Sequence, residues 1–397
     1  MTRRAIVGSG RLLTMTGSRP AATGLIEGPW VVVIEDRRIG QVRPGVLRPG
    51  DAEDVHDVGR ALCTPGLVDP HTHLIYAGDR ADEVAARSRG ARYDGGGILR
   101  TVAATSAASD EQLRSTTRAR LSAAAAAGTT TIEVKSGYGL TAGSERRLLR
   151  LIGEAAEGLP MRVLRTFLGA HAVPPGSSPA AQAEAVIEML PALAAEADHV
   201  DIFCEPHLFD LGLTRRIAAA AARAGLPLKL HADQLTHSGA ALLGAELGAI
   251  SVDHLEQLDE DGARELAASS TVATILPGPA LMLRAGSPPV RALLDAGAHV
   301  AIGSDANAGT FGQPSMVLAM GLAVALGFTV EEAVRSATAG AARALGRPAD
   351  MGVLATGAAA DLVAWDAEHE GDFAFRVGAV RPRWVWFEGE RRSIGGD

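Results

Sequence analysis

The chain has 397 residues, too many for one small domain but compatible with a barrel of about 250 residues plus an accessory piece. Its net charge of −8 comes without a clustered basic face, so we do not expect nucleic acid as a partner. Hydrophobic residues make up 47% of the chain, which is enough for a sizeable core. The only two cysteines, Cys63 and Cys204, predict buried thiols and no disulfide framework.

No stretch reaches about 18 uninterrupted apolar residues, the length that a membrane-spanning helix needs. The first residues, Met1 to Val7, are followed by Gly8-Ser9-Gly10 and not by the long apolar segment of a secretion signal. We therefore expect a soluble cytoplasmic protein without a membrane partner. No pattern in the sequence fixes an oligomeric state, and a homodimer is the default expectation.

Both ends of the chain show short β-type runs separated by Gly and Pro turns. Trp30–Ile34 is one such run, and Asp361–Trp365 and Arg383–Phe387 have the same character near the C-terminus. Because chain ends often lie close together, we predict one small β-sandwich domain built from both termini. The predicted boundaries are residues 1–60 and 351–397 for this domain and residues 61–350 for a barrel between its two parts.

The middle of the chain repeats one order of elements without repeating a sequence. A helical run rich in Ala, Leu and Arg ends at a Gly, a β-type run follows, and a polar residue stands where that run ends. Ile217–Ala224, for example, precedes Gly225 and leads to Leu228–His231. The candidate strands end near His73, Lys135, His171, Glu205, His231, His254, Pro277 and Asp305. Eight such units favour a closed (β/α)8 TIM-type barrel over a doubly wound open sheet, with the active site at the C-terminal strand ends.

The first of these strand ends carries two histidines. His71 and His73 follow an apolar run that ends at Val68. On an extended strand, residues two apart point to the same face, so both imidazoles can converge on one point. Neutral imidazole is a good ligand for zinc and other first-row metals. By itself this spacing is equally typical of two polar residues at a strand end.

Three more polar residues end later strands, namely His231, His254 and Asp305. Taken singly, a histidine at a strand end is usually a hydrogen-bonded structural residue, and Asp305 could cap the next turn. Taken together, they would face one mouth of one barrel with His71 and His73. Three imidazoles and a carboxylate that leave room for water indicate a catalytic metal site.

These residues lie in stretches that resemble the amidohydrolase superfamily and, within it, the imidazolonepropionase family. The resemblance extends from about Val31 to Asp366. Its signatures are Pro65–His73, His71–Arg80, Gly95–Ile98, Glu133–Leu140, Phe167–Pro174, Leu230–Leu235 and Asp253–Glu256. It implies a metal-dependent hydrolase that opens the ring C–N amide bond of 4-imidazolone-5-propanoate to N-formimidoyl-L-glutamate, a step of histidine degradation.

The resemblance also implies roles for individual residues. The implied ligands of one zinc or iron ion are His71, His73, His231 and Asp305. The implied catalytic residues are His254 beside the metal-bound water, Asp305 as the other candidate proton acceptor, and His171, which would polarise the ring carbonyl. The implied substrate-binding residues are Arg80, Tyr138, His171, Gln234, Asn307, Gly309 and Thr310.

Two of the substrate-binding positions suit the chemistry of the implied substrate. Arginine offers a planar fork for a carboxylate, and the substrate carries a propionate. The alternative for Arg80 is a surface ion pair with Asp79, Asp82 or Glu83. Tyr138 stands between two glycines in a loop with little packing capacity, and the alternative is a structural tyrosine.

Lys135 raises the question of a second metal, because dinuclear relatives carry a carboxylated bridging lysine on the fourth strand. Lys135 ends the second candidate strand, and the fourth, Val200–Glu205, has no lysine. We therefore predict a single metal and a structural role for Lys135.

Two departures from the family patterns bear on specificity. Amino-group deaminases of the superfamily usually carry Glu three residues after the fifth-strand His, where this chain has Gln234. A Gln side chain cannot exchange protons near neutrality, which argues against an ordinary deaminase and leaves the general base open. Ala306 and Ala308 stand where the family usually has Phe and Pro, which predicts a slightly roomier pocket.

Two other functions compete with this interpretation. One is an amidohydrolase of another specificity, such as a heterocycle deaminase or a cyclic imide hydrolase. A neutral base needs no carboxylate clamp, so the pair Arg80 and Tyr138 disfavours the deaminase. The other is a non-catalytic barrel kept for binding or assembly, which the intact set of metal ligands disfavours.

Overall fold

The computed structural model describes residues 3–17, 21–91, 97–284 and 286–392, so Gly95 and Gly96 of one signature lie outside the described residues. The strands are β1 Arg4–Gly8, β2 Arg11–Leu13, β3 Leu25–Glu27, β4 Trp30–Glu35, β5 Arg38–Pro44, β6 Asp54–Asp57, β7 Cys63–Pro65, β8 Leu67–Asp69, β9 Thr129–Lys135, β10 Arg162–Ala170, β11 His199–Cys204, β12 Leu228–Ala232, β13 Ser251–His254, β14 Val272–Ile275, β15 Val300–Ile302, β16 Leu362–Trp365, β17 Pro382–Phe387 and β18 Glu390–Arg392.

The helices alternate with the strands through the middle of the chain. They are α1 Ala81–Ser88, α2 Ile98–Ala107, α3 Asp110–Ala126, α4 Ala142–Ala156, α5 Pro179–Leu193, α6 Leu211–Arg223, α7 Ala240–Glu246, α8 Glu260–Ala267, α9 Pro277–Leu283, α10 Val290–Asp295, α11 Met316–Ala325, α12 Val330–Arg335, α13 Ala341–Ala344 and α14 Asp372–Phe375, with a π-helix at Ser336–Gly340. No helix among the described residues combines the length and the apolar character that crossing a bilayer requires.

Strands β8 to β15 form one eight-stranded parallel sheet in chain order, which confirms the predicted (β/α)8 barrel. The seam between the first and last strands closes just beyond their C-terminal ends. There Thr72 bridges to Ala306, the Asp305 N–H donates to the His71 carbonyl at 3.0 Å, and the His73 N–H donates to the Ala306 carbonyl at 2.9 Å. Barrel closure thus brings the two histidines of the first strand beside the aspartate of the last.

In the repeating pattern of the sequence, a glycine ends the helix and lets the chain turn into the next strand. Helix α6 ends at Arg223, and Gly225 then adopts a φ of 75°, a left-handed conformation that glycine enters without steric strain. The chain turns there and enters β12, all of whose residues are buried. A parallel strand covered on both faces needs such a continuous buried run, which is why these segments form strands and not exposed loops.

The two chain ends build a β domain of two packed sheets, which confirms the predicted β-sandwich. A four-stranded sheet has the order β5-β4-β1-β6, and a six-stranded sheet has the order β18-β17-β16-β7-β2-β3. In the second sheet β16 pairs antiparallel with β7, with Val363 opposite Thr64. Trp30 and Val32 of one sheet share an apolar cluster with Leu362 of the other. Strand β7 leads through Gly66 directly into the first barrel strand, and the domain boundaries at 60 and 350 stay a prediction.

The helical segment from Val330 to Ala344 changes its helix type partway along. Helix α12 passes into the π-helix before α13 begins. The Thr338 hydroxyl donates to the Val334 carbonyl at 2.7 Å, so a side chain satisfies a carbonyl next to the widened turn. The polar side chain, which sequence periodicity does not register, accompanies the change of helix type.

We expect both thiols to be unreactive in the folded protein. Cys63 and Cys204 are buried, and burial raises both thiol pKa values, that of Cys204 to about 12. Because the thiolate is the reactive form, Ellman's reagent at pH 8 should titrate neither cysteine until denaturant is added, and two per chain afterwards. Rapid labelling of the native protein would contradict this burial.

Candidate metal centre and active site

Four buried side chains meet at the C-terminal mouth of the barrel. Nε2 of His73 lies 3.3 Å from Nε2 of His71 and 3.4 Å from Nε2 of His231. Oδ1 of Asp305 lies 3.5 Å from Nε2 of His73 and 3.7 Å from Nε2 of His71. Ligand atoms arranged as a tetrahedron around zinc, each about 2.1 Å from it, are about 3.4 Å apart. These distances are close to what one shared ion requires. The ligand atoms of His71, His73 and Asp305 all lie within 4.8 Å of one another, and His231 adjoins this group through His73.

The protonation of two of these histidines also fits a metal. Nδ1 of His71 lies 2.6 Å from a carboxylate oxygen of Asp253, and Nδ1 of His231 lies 3.1 Å from one of Asp201. Burial lowers the pKa of both rings, so each is neutral and donates its one proton through Nδ1. Both then turn an unprotonated Nε2 into the cluster. Lone pairs facing one point need a cation there, as in the carboxylate–histidine–metal arrangement of zinc sites.

A buried ionic network lies beneath the ligands, inside the barrel. Nζ of Lys135 on β9 lies 2.8 Å from Asp201 and 2.7 Å from Glu133, and Nζ of Lys229 lies 3.5 Å from Asp253. Burial lowers the pKa of Lys135, but the two carboxylates raise it by more, so its ammonium stays charged. Each aspartate that orients a ligand histidine is thus itself held by a buried lysine. This agrees with the structural role predicted for Lys135.

Replacing Lys135 by methionine should destabilise the protein by about 3–5 kcal/mol, because it leaves the Asp201 and Glu133 carboxylates buried without their cation. Loosening Asp201 should also weaken metal retention by about 10–100-fold, the usual effect of losing a partner of a ligand histidine. Urea unfolding and competition with a chelator measure the two effects. The control is Arg215→Met, which breaks an exposed ion pair with Glu246 and should change neither. Equal stability of the two variants would contradict the role of the network.

The strand ends that carry the site are strained. Asp233, His254, Leu255 and Asp305 have φ values of 48°, 88°, 71° and 47°. Residues other than glycine rarely adopt such positive φ values, and each residue in this conformation costs about 1–3 kcal/mol. These residues lie at the end of β13 or within three residues beyond β12, β13 and β15, where the chain turns. The strain therefore collects where the ligand and catalytic candidates are placed.

His254 and Asp305 are the two candidate proton acceptors, and both are buried beside the ligands. The His254 ring lies 5.2 Å from that of His231 and 5.5 Å from that of His71, measured between centroids. Burial lowers the pKa of His254, but Glu256 and Asp305 raise it by more, so it ends above its ordinary value. Burial raises the pKa of Asp305 to about 6. Both groups can therefore exchange a proton near neutral pH.

A small cavity opens above the ligands and contains most of the predicted substrate-binding residues. Its lining residues are His73, Arg80, Ile98, Tyr138, His171, Phe203, His231, Gln234, His254, Asp305, Asn307 and Thr310. The cavity volume is about 30 Å³, well below the ~300–1,000 Å³ that is usual for ligand pockets. A heterocyclic substrate therefore requires lining side chains to move. Ala306 and Ala308 are not among the lining residues, and the roomier pocket stays a prediction.

Arg80 lies inside this cavity, and its one ion pair among the described residues, with Glu83, is long. It is 2% exposed, and its Nε and Nη1 have no hydrogen-bond partner among the described residues. The nearest carboxylate oxygen, of Glu83, is 3.8 Å from Nη1. Gly309 lies against the guanidinium so closely that a Cβ there would overlap it. A buried guanidinium with unused N–H donors is suited to bind an anion. A carboxylate matches the two parallel N–H groups of its planar fork.

The loop that carries Tyr138 is held by a residue that sequence reasoning missed. The buried carboxylate of Glu145 accepts the backbone N–H of Gly137 at 2.9 Å and that of Gly139 at 2.8 Å. These bonds fix the loop on both sides of Tyr138, whose ring lies 5.3 Å from that of His171. An acidic residue in the first turn of α4 was the available signal, because such residues often bind free backbone N–H groups.

His171 is oriented by the same loop. Its Nδ1 lies 3.0 Å from the Gly137 carbonyl, to which it must donate, and its ring stacks on His73 at 5.1 Å. Burial, with a contribution from His231, lowers the pKa of His171 to about 3. The neutral ring thus keeps its proton on Nδ1, and Nε2 can only accept. The carbonyl-polarising role expected from the sequence needs a donor at Nε2, and it stays a prediction.

Asn307 lines the cavity, but its side-chain hydrogen bonds are all made within the loop after β15. Its Oδ1 accepts the N–H groups of Gly309 and Thr310, each at 2.8 Å. Its Nδ2 donates to the Asp305 carbonyl at 2.7 Å and to the Thr310 hydroxyl at 2.6 Å. With these bonds Asn307 positions Asp305 and holds Gly309 against Arg80. Gln234 is buried and lines the cavity, and its contact with substrate stays a prediction.

Comparisons with known proteins agree with this site. Residues 62–392 match the model of the amidohydrolase family. An imidazolonepropionase from Cupriavidus pinatubonensis is 46% identical over 363 residues, covering 87% of this chain and 85% of the relative. One from Methylobacterium nodulans is 44% identical over 381 residues, covering 93% of this chain and 94% of the relative.

Solved structures share the fold at lower identity. An atrazine chlorohydrolase from Arthrobacter aurescens complexed with zinc has a TM-score of 0.75 at 21% identity, covering 98% of this chain and 94% of that chain. An adenosine deaminase from Xanthomonas campestris with bound zinc has a TM-score of 0.72 at 20% identity, covering 98% and 92%. The family model and the close relatives together show that the chain belongs to the amidohydrolase family and, within it, to the imidazolonepropionases.

Proposed function

We propose that this chain hydrolyses the ring C–N amide bond of 4-imidazolone-5-propanoate to N-formimidoyl-L-glutamate, as a step of histidine degradation. The observation that carries the proposal is the buried guanidinium of Arg80, whose unused donors share one cavity with a cluster of metal ligands. A carboxylate-bearing heterocycle satisfies both at once, since its propionate meets the fork while its ring amide lies over the ligands. The names of the close relatives support the same substrate.

His71, His73, His231 and Asp305 would hold one metal ion. A metal held there acts as a Lewis acid and lowers the pKa of a coordinated water toward neutrality. Zinc and iron both accept imidazole and carboxylate donors. We propose zinc, which is the metal named in the two solved structures that share the fold.

Side chains of the protein would carry out the proton transfers and orient the substrate. Asp305 or His254 takes a proton from the attacking water, whose oxygen bonds to the ring carbonyl carbon. The ring C–N bond then breaks, and the proton held by the acceptor passes to the leaving nitrogen. The carbonyl carbon becomes a carboxylic acid, which releases the second proton of the water to solvent and ends as a carboxylate. The neutral His171 accepts a hydrogen bond through Nε2, so it suits a ring N–H of the substrate and not its oxygen.

Gln234 favours ring opening over amino-group deamination. It lines the cavity three residues after the ligand His231, where it can donate or accept a hydrogen bond but cannot relay a proton. A ring opening with one proton acceptor needs no second acid at this position. The buried Arg80 further separates the proposed substrate from the neutral bases that deaminases bind.

The test is the turnover of freshly generated 4-imidazolone-5-propanoate, followed by the loss of its ultraviolet absorbance, with metal content measured on the same sample. We expect rapid loss that a chelator stops and that yields N-formimidoyl-L-glutamate. His231→Ala, which removes a ligand, is the matched negative control. Absence of turnover by fully metallated protein would overturn the substrate assignment.

A further inference from the structure

Glu256 is a buried carboxylate that the proposed reaction leaves unused. It is 4% exposed, lies two residues beyond β13, and does not line the cavity. Neither of its carboxylate oxygens has a hydrogen-bond partner among the described residues. Burying a polar group without a partner is costly, and such groups are rare in native structures. The presence of a carboxylate at this position is therefore better explained by a role in function than by a gain in stability.

The nearest charged partner of Glu256 is the ring of His254. Oε1 of Glu256 lies 3.5 Å from Nδ1 of His254, and that ring nitrogen also lacks a hydrogen-bond partner. Two complementary buried atoms thus face each other slightly beyond hydrogen-bond length. Contacts of catalytic side chains are often long without substrate and shorten when it binds.

The backbone holds this arrangement in place. His254 and Leu255 adopt positive φ values of 88° and 71°, which turn the chain sharply after β13. The Leu255 N–H donates to the Ala232 carbonyl at 3.1 Å, and the Gln257 N–H donates to the Asp233 carbonyl at 2.8 Å. The turn is therefore anchored to β12 on both sides of Glu256. Strained turns of this kind persist where the surrounding structure fixes them, often at functional sites.

Two other histidines of the site show what such a carboxylate does. Asp253 faces Nδ1 of His71, and Asp201 faces Nδ1 of His231. In each case the carboxylate fixes the ring and the tautomer, so that Nε2 is free for the chemistry. Glu256 stands in the same relation to His254.

We propose that Glu256 is a positioning residue for His254, accepting the hydrogen of its Nδ1 and thereby presenting its unprotonated Nε2 to the cavity. The turnover measurements that test this inference rest on the proposed function, whereas the position of the His254 proton does not. It accounts for a carboxylate at a buried position where neither oxygen makes a hydrogen bond to the described residues. Replacing Glu256 by methionine should therefore leave the melting temperature unchanged or raise it.

The experiment is a double-mutant cycle on metal-loaded protein with 4-imidazolone-5-propanoate as substrate. Glu256→Met should lower kcat by about 10–100-fold, the range for losing a hydrogen bond to a charged group, with KM changed by about twofold or less and full metal content. Glu256→Gln keeps an acceptor oxygen and should retain more of the turnover. In a His254→Ala background, Glu256→Met should have no further effect. Glu260→Met, an exposed change on α8, is the control.

The proposal is overturned if Glu256→Met lowers kcat by the same factor with and without His254, since additivity would mean that Glu256 acts elsewhere. An unchanged kcat in Glu256→Met would overturn it as well. A second readout needs no substrate: in zinc-loaded protein labelled with ¹⁵N-histidine, long-range ¹H–¹⁵N spectra should place the His254 proton on Nδ1, and Glu256→Met should redistribute it. If the wild type shows this tautomer but no turnover, the proposed function fails while the positioning role stands.

Discussion

Replacing Asp305 by asparagine is expected to lower kcat by at least about 10²–10⁴-fold, the range that a positioned proton acceptor contributes. Its carboxylate lies within 3.7 Å of Nε2 of both His71 and His73, so it is placed as a ligand and as the base. Burial raises its pKa to about 6, which suits proton exchange near neutral pH. Asparagine keeps the size of the side chain but has neither its charge nor its affinity for a proton.

Turnover and metal content must be measured on the same Asp305→Asn sample to separate the two roles. A variant that keeps its metal and loses turnover indicates the base, whereas parallel loss of both indicates the ligand. Asp295→Asn, which changes an exposed ion pair with Arg291 at the end of α10, should behave as wild type. If metallated Asp305→Asn stays within tenfold of wild type while His254→Ala does not, the proton acceptor is His254 alone.

The barrel and its strand ends were predictable because the information is local. A helix that ends at a glycine such as Gly225, followed by a fully buried run, specifies its own β/α unit without reference to distant residues. Eight such units leave few arrangements, and parallel strands place all their C-terminal ends at one mouth. His231 and Asp305 could therefore be assigned to one site although 74 positions separate them in the printed sequence.

The network beneath the site was not predictable, because it depends on contacts between strands. Lys135 on β9 reaches Asp201 on β11 across the intervening strand, and no local pattern encodes that pairing. A signal existed nonetheless. Asp201 and Lys229 each stand between two apolar residues of a buried strand, and a charge at a buried position requires a partner of opposite sign. The sequence could thus indicate that such partners exist but not which residues they are.

The tautomer of His171 was another feature that the sequence could not predict. His171 ends the third barrel strand as predicted, but its function depends on which ring nitrogen carries the proton. The Gly137 carbonyl decides this, and the carbonyl is in position because Glu145 holds the loop. A residue type and a strand end therefore predicted a location, whereas the donor or acceptor role required the surrounding backbone.

Replacing Arg80 by methionine is the sharpest test of the substrate class. The guanidinium is buried beside the ligands with unused donors, so losing its pairing with a propionate should cost about 2–5 kcal/mol of binding. That corresponds to a fall of roughly 30- to 5,000-fold in kcat/KM, appearing mainly as a higher KM, because the propionate does not take part in the bond change. Arg80→Lys should recover only part of this loss, since an ammonium cannot form the planar two-bond contact.

The control for this variant is Arg100→Met, a nearby exposed arginine that pairs with Asp82 and, like Arg80, with Glu83. A second control changes the substrate, because an imidazolone ring without the propionate has no partner for Arg80. Wild type and Arg80→Met should hydrolyse that truncated ring with equal kcat/KM, so the loss should appear only when both the cation and the carboxylate are present. If Arg80→Met instead weakens both substrates equally, the guanidinium supports the cavity and its neighbour Gly309, and the carboxylate-bearing substrate loses its main structural argument.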